Sequence, residues 1–203
     1  MVLDVERCSL ISRISFASPN HKQETVAGHM HRMSLIALTL DEDQLKSAYG
    51  PEFDLNKVIR MTLIHDIAET ITGDFTPYDK IDPEIKRLQE IDVIEYLASY
   101  LPDKQAQTLT ALFYEYEERK SPESIVTKEI DRLDLIIQAF SYEKSQFKST
   151  GLVPDFEEFF DFNSVLSKIR DEQLKQIVGS IMKQRSKFLK SVCKFSKEDA
   201  NDK

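Results

Sequence analysis

The residues with most chemistry lie in one stretch, Leu63-Ile64-His65-Asp66-Ile67-Ala68-Glu69-Thr70-Ile71-Thr72-Gly73-Asp74. The segment opens on an apolar helical pattern, which predicts that His65 and Asp66 ride on a buried or half-buried helix. Neighbours on a helix are about 100° apart, so both side chains reach one point on the same side. Glu69 follows His65 by four residues and Asp66 by three and so stacks over the same face. Gly73 then breaks the helix and leaves Asp74 just beyond its end. One imidazole and up to three carboxylates share a small volume, which a core does not tolerate unless a cation or a reaction needs them.

These residues must be held by the elements around them, and the pattern predicts helices throughout. Five glycines and seven prolines in 203 residues are few. A helix is expected from the Thr25 N-cap to about Leu40, with Val26, Met30, Met33, Ile36, Ala37 and Leu40 at helical spacing and His29 inward. An acidic connection through Gly50-Pro51 leads to Asp54, the expected N-cap of a central helix over 55–72. Asp82-Pro83-Glu84 starts the next helix, which carries Ile85, Leu88, Ile91, Ile94 and Leu97. Another is expected from about Asp103 to Arg119, with Leu109, Leu112, Phe113 and Tyr116.

Ser121-Pro122-Glu123 repeats the start signal for a helix to about Phe147. Ile130, Leu133, Ile137 and Phe140 form its apolar stripe, and Asp131, Asp134, Gln138 and Tyr142 form a polar one. Residues 149–163 read as a loop. A last amphipathic helix is expected over about 171–192, followed by a frayed tail. The fold class expected is all-α, one domain over 1–203 with a core at about 8–147.

Composition excludes several functions. With 41% hydrophobic and 31% charged residues the chain reads as globular. A net charge of −8 argues against a nucleic-acid-coating surface. Cys8 and Cys193 suggest neither a disulfide framework nor a thiolate metal site. No apolar run is long enough to span a membrane, and the first residues lack the layout of a secretory signal. An intracellular, cytoplasmic setting is the expectation. The basic run Lys183, Arg185, Lys187, Lys190, Lys194 and Lys197 reads as the solvated face of the terminal helix.

His29, then His65-Asp66, then Asp131, each on its own predicted helix, resembles the H…HD…D pattern of HD-domain phosphohydrolases. Flanking residues narrow the resemblance to the 5′-deoxynucleotidase branch: Glu24 through Met33, His65 through Glu69 with Gly73-Asp74, and Glu129 through Leu133 with Ile137-Gln138-Ala139 and Tyr142-Glu143. The likeness covers roughly residues 8–145 and implies an HD helical bundle of roughly seven to nine helices. It departs at Gly28, where the family carries an acid, and weaker metal affinity than the family norm is expected if that acid tunes the ligand.

The resemblance implies one divalent ion (Mn²⁺, Co²⁺, Fe²⁺, Zn²⁺ or Mg²⁺) held by His29, His65, Asp66 and Asp131. Dinuclear relatives need more histidines than this chain supplies. The resemblance implies further that Glu69 takes a proton from the attacking water or orients it, and that Asp74 protonates the leaving 5′-oxygen. Arg13 would grip the substrate phosphate. Asp134 and Glu143 read as solvated or structural. The implied function is metal-dependent hydrolysis of deoxynucleoside 5′-monophosphates by a homodimer whose partner is a nucleotide, with neither nucleic acid nor membrane engaged. Two alternatives are hydrolysis of another phosphorylated nucleotide, such as an alarmone, and a non-catalytic nucleotide-binding scaffold. In the alarmone hydrolases an acidic pair follows the His-Asp dipeptide, whereas here Thr70 follows Glu69. A scaffold is expected to have lost a ligand, and all four are present.

Overall fold

The computed structural model describes residues 24–75 and 80–201, which contain nine α-helices, one 3₁₀ turn and no extended strand. They fall into two compact units, one within Met1–Asp131 and one within Arg132–Lys203.

In the first unit, α1 (Val26–Leu38) starts at Thr25, whose hydroxyl accepts from the Gly28 N–H at 3.0 Å. Its buried stripe is Val26, His29, Met30, Met33, Ser34 and Ala37, so a histidine occupies a core position. Next comes α2 (Glu42–Tyr49), where the pattern suggested only a connection. Leu45 is its single buried residue, so no apolar period marks it. Its local signal is the Asp41 cap, which accepts from the N–H groups of Asp43 and Gln44. Gly50, at φ 110°, ends it in a backbone region that favours glycine.

The central helix is shorter than expected. After the Asp54 cap, α3 (Leu55–Thr62) stops, residues 63–68 form turns, and α4 (Glu69–Thr72) resumes for one turn before Gly73 at φ 83°. The Thr62 carbonyl, which a continuous helix would hand to the Asp66 N–H, is taken by the His65 ring at 3.1 Å. Three-residue bonds tighten the winding, among them Ile64 N–H to Met61 O, Ile67 N–H to Ile64 O and Glu69 N–H to Asp66 O.

Asp82 and Pro83 then start α5 (Pro83–Ala98), which is followed by α6 (Asp103–Glu118). Ile85 and Leu88, expected on the apolar face of α5, are half exposed, and only the second half of that helix, with Val93, Ile94, Leu97 and Ala98, enters the core. The first half turns a different face, carrying Lys86 and Glu90, toward a cleft that also contains His65 and Glu69. α6 ends on Arg119 in the left-handed conformation (φ 53°, ψ 37°). The long helix α7 (Pro122–Thr150) opens within this unit. α1 packs on α3 and α3 on α6, while α4 and α6 pack on α5, where Ala68, Val93, Ile94, Leu97, Leu109 and Phe113 form a core cluster. A second cluster of Met61, Leu112 and Tyr116 adjoins Ile64. Ala68 therefore anchors the turn between Asp66 and Glu69 in apolar packing.

The second unit holds the remainder of α7, a 3₁₀ turn (Glu157–Phe160), α8 (Phe162–Ser167) and α9 (Glu172–Asn201). The 3₁₀ turn and the start of α8 lie where a loop was expected. α9 runs past the expected end near residue 192. Buried Asp171 caps it, accepting from the N–H groups of Gln173 and Leu174. Arg185 is not on a solvated face. It forks onto fully buried Glu143 at 2.8–3.1 Å, pairs with Glu157 at 2.7 Å and stacks 3.8 Å from the Phe160 ring. Glu143 is thus a structural ion-pair partner, and Asp134 is likewise buried rather than solvated.

Candidate functional site

Three elements of the first unit deliver polar atoms to one point. α1 brings His29, the turn after α3 brings His65 and Asp66, and the first part of α7 brings Asp131. The Nε2 atoms of His29 and His65 stand 3.2 Å apart. Asp66 Oδ2 is 3.1 Å from His65 Nε2 and 3.4 Å from His29 Nε2, and Asp131 Oδ1 is 3.4 Å from His29 Nε2. His29, His65 and Asp131 are buried, and the Asp66 side chain keeps 15% of its surface.

The hydrogen bond from His65 to the Thr62 carbonyl fixes a tautomer. A carbonyl only accepts, so Nδ1 carries a proton, and Nε2 is the nitrogen turned toward the cluster. A metal ligand needs this arrangement, with one nitrogen anchored to the backbone and the other presented. Two imidazole nitrogens and two carboxylate oxygens at these separations suit a mid-series divalent ion. Nε2 and carboxylate atoms of His29, His65 and Asp66 all lie within 4.8 Å of one another, a spacing a single ion can bridge.

Glu69 lies one turn beyond Asp66 and is buried. Its Oε1 is 3.6 Å from Lys86 Nζ, which also reaches Glu90 at 3.4 Å. Burial pulls the Lys86 pKa down, but Glu90, Glu69, Asp74 and Asp66 together raise it above the usual lysine range. Burial pushes Glu90 above the ordinary carboxylate range, against the pull of Lys86. Asp74 is half-buried past the end of α4, and its charge is among those that raise the Lys86 pKa. Arg13 lies outside the described residues.

A cleft of about 570 Å³ opens on the cluster. Besides His65, Asp66 and Glu69 it is lined by Lys86, Arg87, Arg119 and Lys128, and by Tyr116. The Tyr116 phenol is held well above its usual pKa by burial and then by the charges of Asp131 and Asp66, so it stays protonated. Sequence reasoning passed over these cations and took Tyr116 for core alone. Lys128 was the one with a local signal, three residues before Asp131 and hence on its helical face.

Gly28 also has a structural context. A Cβ there would stand 3.9 Å from Glu24 Oε1 and 3.2 Å from the capping Thr25 hydroxyl. A Glu24 carboxylate oxygen lies within 4.8 Å of a His29 ring nitrogen, and Glu24 also pairs with Arg32. An acid is therefore present beside His29 although it is not the residue preceding it.

Comparison with known proteins follows the same lines. A family model described as "HD domain" matches residues 5–177. The chain is 36% identical over 138 residues to the 5′-deoxynucleotidase HDDC2 of Dictyostelium discoideum, covering 68% of this chain and 72% of the relative. It is 30% identical over 165 residues to the human protein of that name, covering 81% and 74%. Among solved structures it resembles a predicted metal-dependent phosphohydrolase from Magnetospirillum magnetotacticum MS-1. The TM-score is 0.66 at 23% identity, with 91% of this chain and 88% of that one covered. The PH0347 protein of Pyrococcus horikoshii OT3 matches with a TM-score of 0.66 at 23% identity, covering 88% and 95%.

Proposed function

The chain belongs to the HD-domain family, and from that premise we propose that it is a metal-dependent 5′-deoxynucleotidase, releasing phosphate from deoxynucleoside 5′-monophosphates. The observation that carries this reading is the meeting of two imidazole nitrogens and two carboxylate oxygens at 3.1–3.4 Å, beside buried Glu69. Relatives named 5′-deoxynucleotidase support the substrate class.

His29, His65, Asp66 and Asp131 would hold one divalent ion, of the kind Mn²⁺, Co²⁺, Fe²⁺, Zn²⁺ or Mg²⁺. Bound there, the ion would supply Lewis acidity to the phosphoryl group and to the attacking water. Glu69 orients that water and accepts its proton, with Lys86 Nζ 3.6 Å from its Oε1. Water adds to phosphorus as the bond to the 5′-oxygen breaks. Asp74, entering this step protonated, gives that oxygen its proton and is reprotonated from solvent, to which Glu69 releases the proton it took. Arg13, with Arg87 and Arg119 of the cleft, balances the phosphate charge. The setting is the cytoplasm, and the enzyme works as a homodimer. Half-exposed Leu35 and well-exposed Leu38 on α1 are consistent with a covered surface, and among the described residues no helix is long and apolar enough to cross a membrane.

Phosphate release from a panel of deoxy- and ribonucleoside monophosphates tests the proposal, with Glu69→Gln run beside the wild type. Release from the deoxy series that falls about 10²-fold or more in the variant is expected. Hydrolysis of an alarmone alone, or of no nucleotide by folded, metal-loaded protein, would overturn it.

A further inference from the structure

Lys128 sits on α7 one turn before Asp131, and its ammonium is tied on two sides. Nζ donates to Asp131 Oδ2 at 2.7 Å and to the Tyr116 hydroxyl at 3.2 Å. Asp131 divides its oxygens, because Oδ1 faces His29 Nε2 while Oδ2 takes the lysine. Tyr116 in turn packs edge-on against the His65 ring, with centroids 5.1 Å apart. Lys128 and Tyr116 therefore bracket the cluster, linking the carboxylate that arrives on α7 to the imidazole that arrives on the turn after α3.

A positive charge beside a cation site is adverse by simple electrostatics, since it repels the ion. Its placement asks for a role, and the bonding shows which atoms it serves. A carboxylate on a helix side chain can rotate and offer either oxygen or both. The lysine removes that freedom by occupying Oδ2. From this geometry we infer that Lys128 is a positioning residue for metal binding: it holds Asp131 in a one-oxygen pose, with Tyr116 as the fixed post that holds the lysine. The role is distinct from contact with the substrate phosphate, which other cations of the cleft can supply. The inference rests on the reading of Asp131 as a metal ligand.

The test is Mn²⁺ affinity, measured by calorimetry on chelated protein, for wild type, Lys128→Met, Lys128→Arg, Tyr116→Phe and Asp131→Ala. Nucleotide KM at saturating Mn²⁺ is measured alongside. Positioning predicts that Lys128→Met weakens Mn²⁺ binding by about tenfold or more. Lys128→Arg, which can still donate to Oδ2, recovers most of the loss. Tyr116→Phe weakens binding by less than Lys128→Met does. The KM of all three stays within about twofold of wild type. Mn²⁺ binding that is unchanged or tighter in Lys128→Met would overturn the inference. A raised KM with unchanged Mn²⁺ affinity would do the same and assign the lysine to the substrate. If Lys128→Met does not fold, Tyr116→Phe and Lys128→Gln decide by the same two readouts. Asp131→Ala separates the two levels: if it binds Mn²⁺ as wild type does, the ligand reading itself has failed.

Discussion

The Nδ1–H of His65 donates to the carbonyl of Thr62, three residues back, at 3.1 Å. This bond lies where α3 ends and turns the other ring nitrogen, Nε2, toward His29. The backbone break and the approach of the two imidazoles meet at the same residue.

His65→Asn separates the two roles. The asparagine amide can reach the Thr62 carbonyl in place of Nδ1 but has nothing at the position of Nε2. Thermal unfolding should show a metal-free midpoint close to wild type and no rise on adding Mn²⁺. His65→Ala should lose both. A Mn²⁺-induced rise in His65→Asn equal to wild type would contradict the assignment.

Phe113 is 1% exposed and packs in the cluster that contains Ala68, between Asp66 and Glu69 in the chain. Phe113→Ala should cost about 3–5 kcal/mol in urea unfolding. Because the cavity opens under the turn, the surviving folded protein should also lose activity. Destabilisation under about 1 kcal/mol would mean the site can collapse and the packing argument is wrong.

Glu115 supplies a pH prediction away from the cluster. Burial would raise its pKa, but hydrogen bonds from Ser121 and Lys57 and the Lys57 charge bring it below the ordinary carboxylate value. A carboxyl whose folded pKa is depressed stabilises above its unfolded pKa, near 4.3, and the benefit is lost as pH falls through the folded value. Glu115→Gln should therefore cost up to about 1 kcal/mol at pH 7, as a partly exposed pair does. The gap to wild type should close as acid protonates the native glutamate. A gap independent of pH would show that the loss is packing and not charge.

The helical class was legible because its signals are local. Caps at Thr25, Asp54 and Asp82 and the stripe on α1 need only the neighbouring residues. His29, His65, Asp66 and Asp131 were legible through spacing and flanking residues, and the structure brings all four together. What escaped depended on atoms far apart in sequence or on side chains competing with backbone. At the break over residues 63–68 an imidazole bonds to a backbone carbonyl, which apolar periodicity does not record. α2 buries one leucine and so has no period to find. Arg185 looked solvated because its partners Glu143 and Glu157 lie 42 and 28 residues away. Lys86 reaches Glu69 only through the packing of α5 on α4.

The most direct test of the central claim is phosphate release from a deoxynucleoside 5′-monophosphate by chelated protein as Mn²⁺ is titrated in. A four-residue site for one ion predicts no release without metal and a rise to a plateau at one equivalent per chain. The same titration of His29→Ala should stay flat. Wild-type activity that survives chelation, or no release at any ratio of metal to folded protein, would contradict the account.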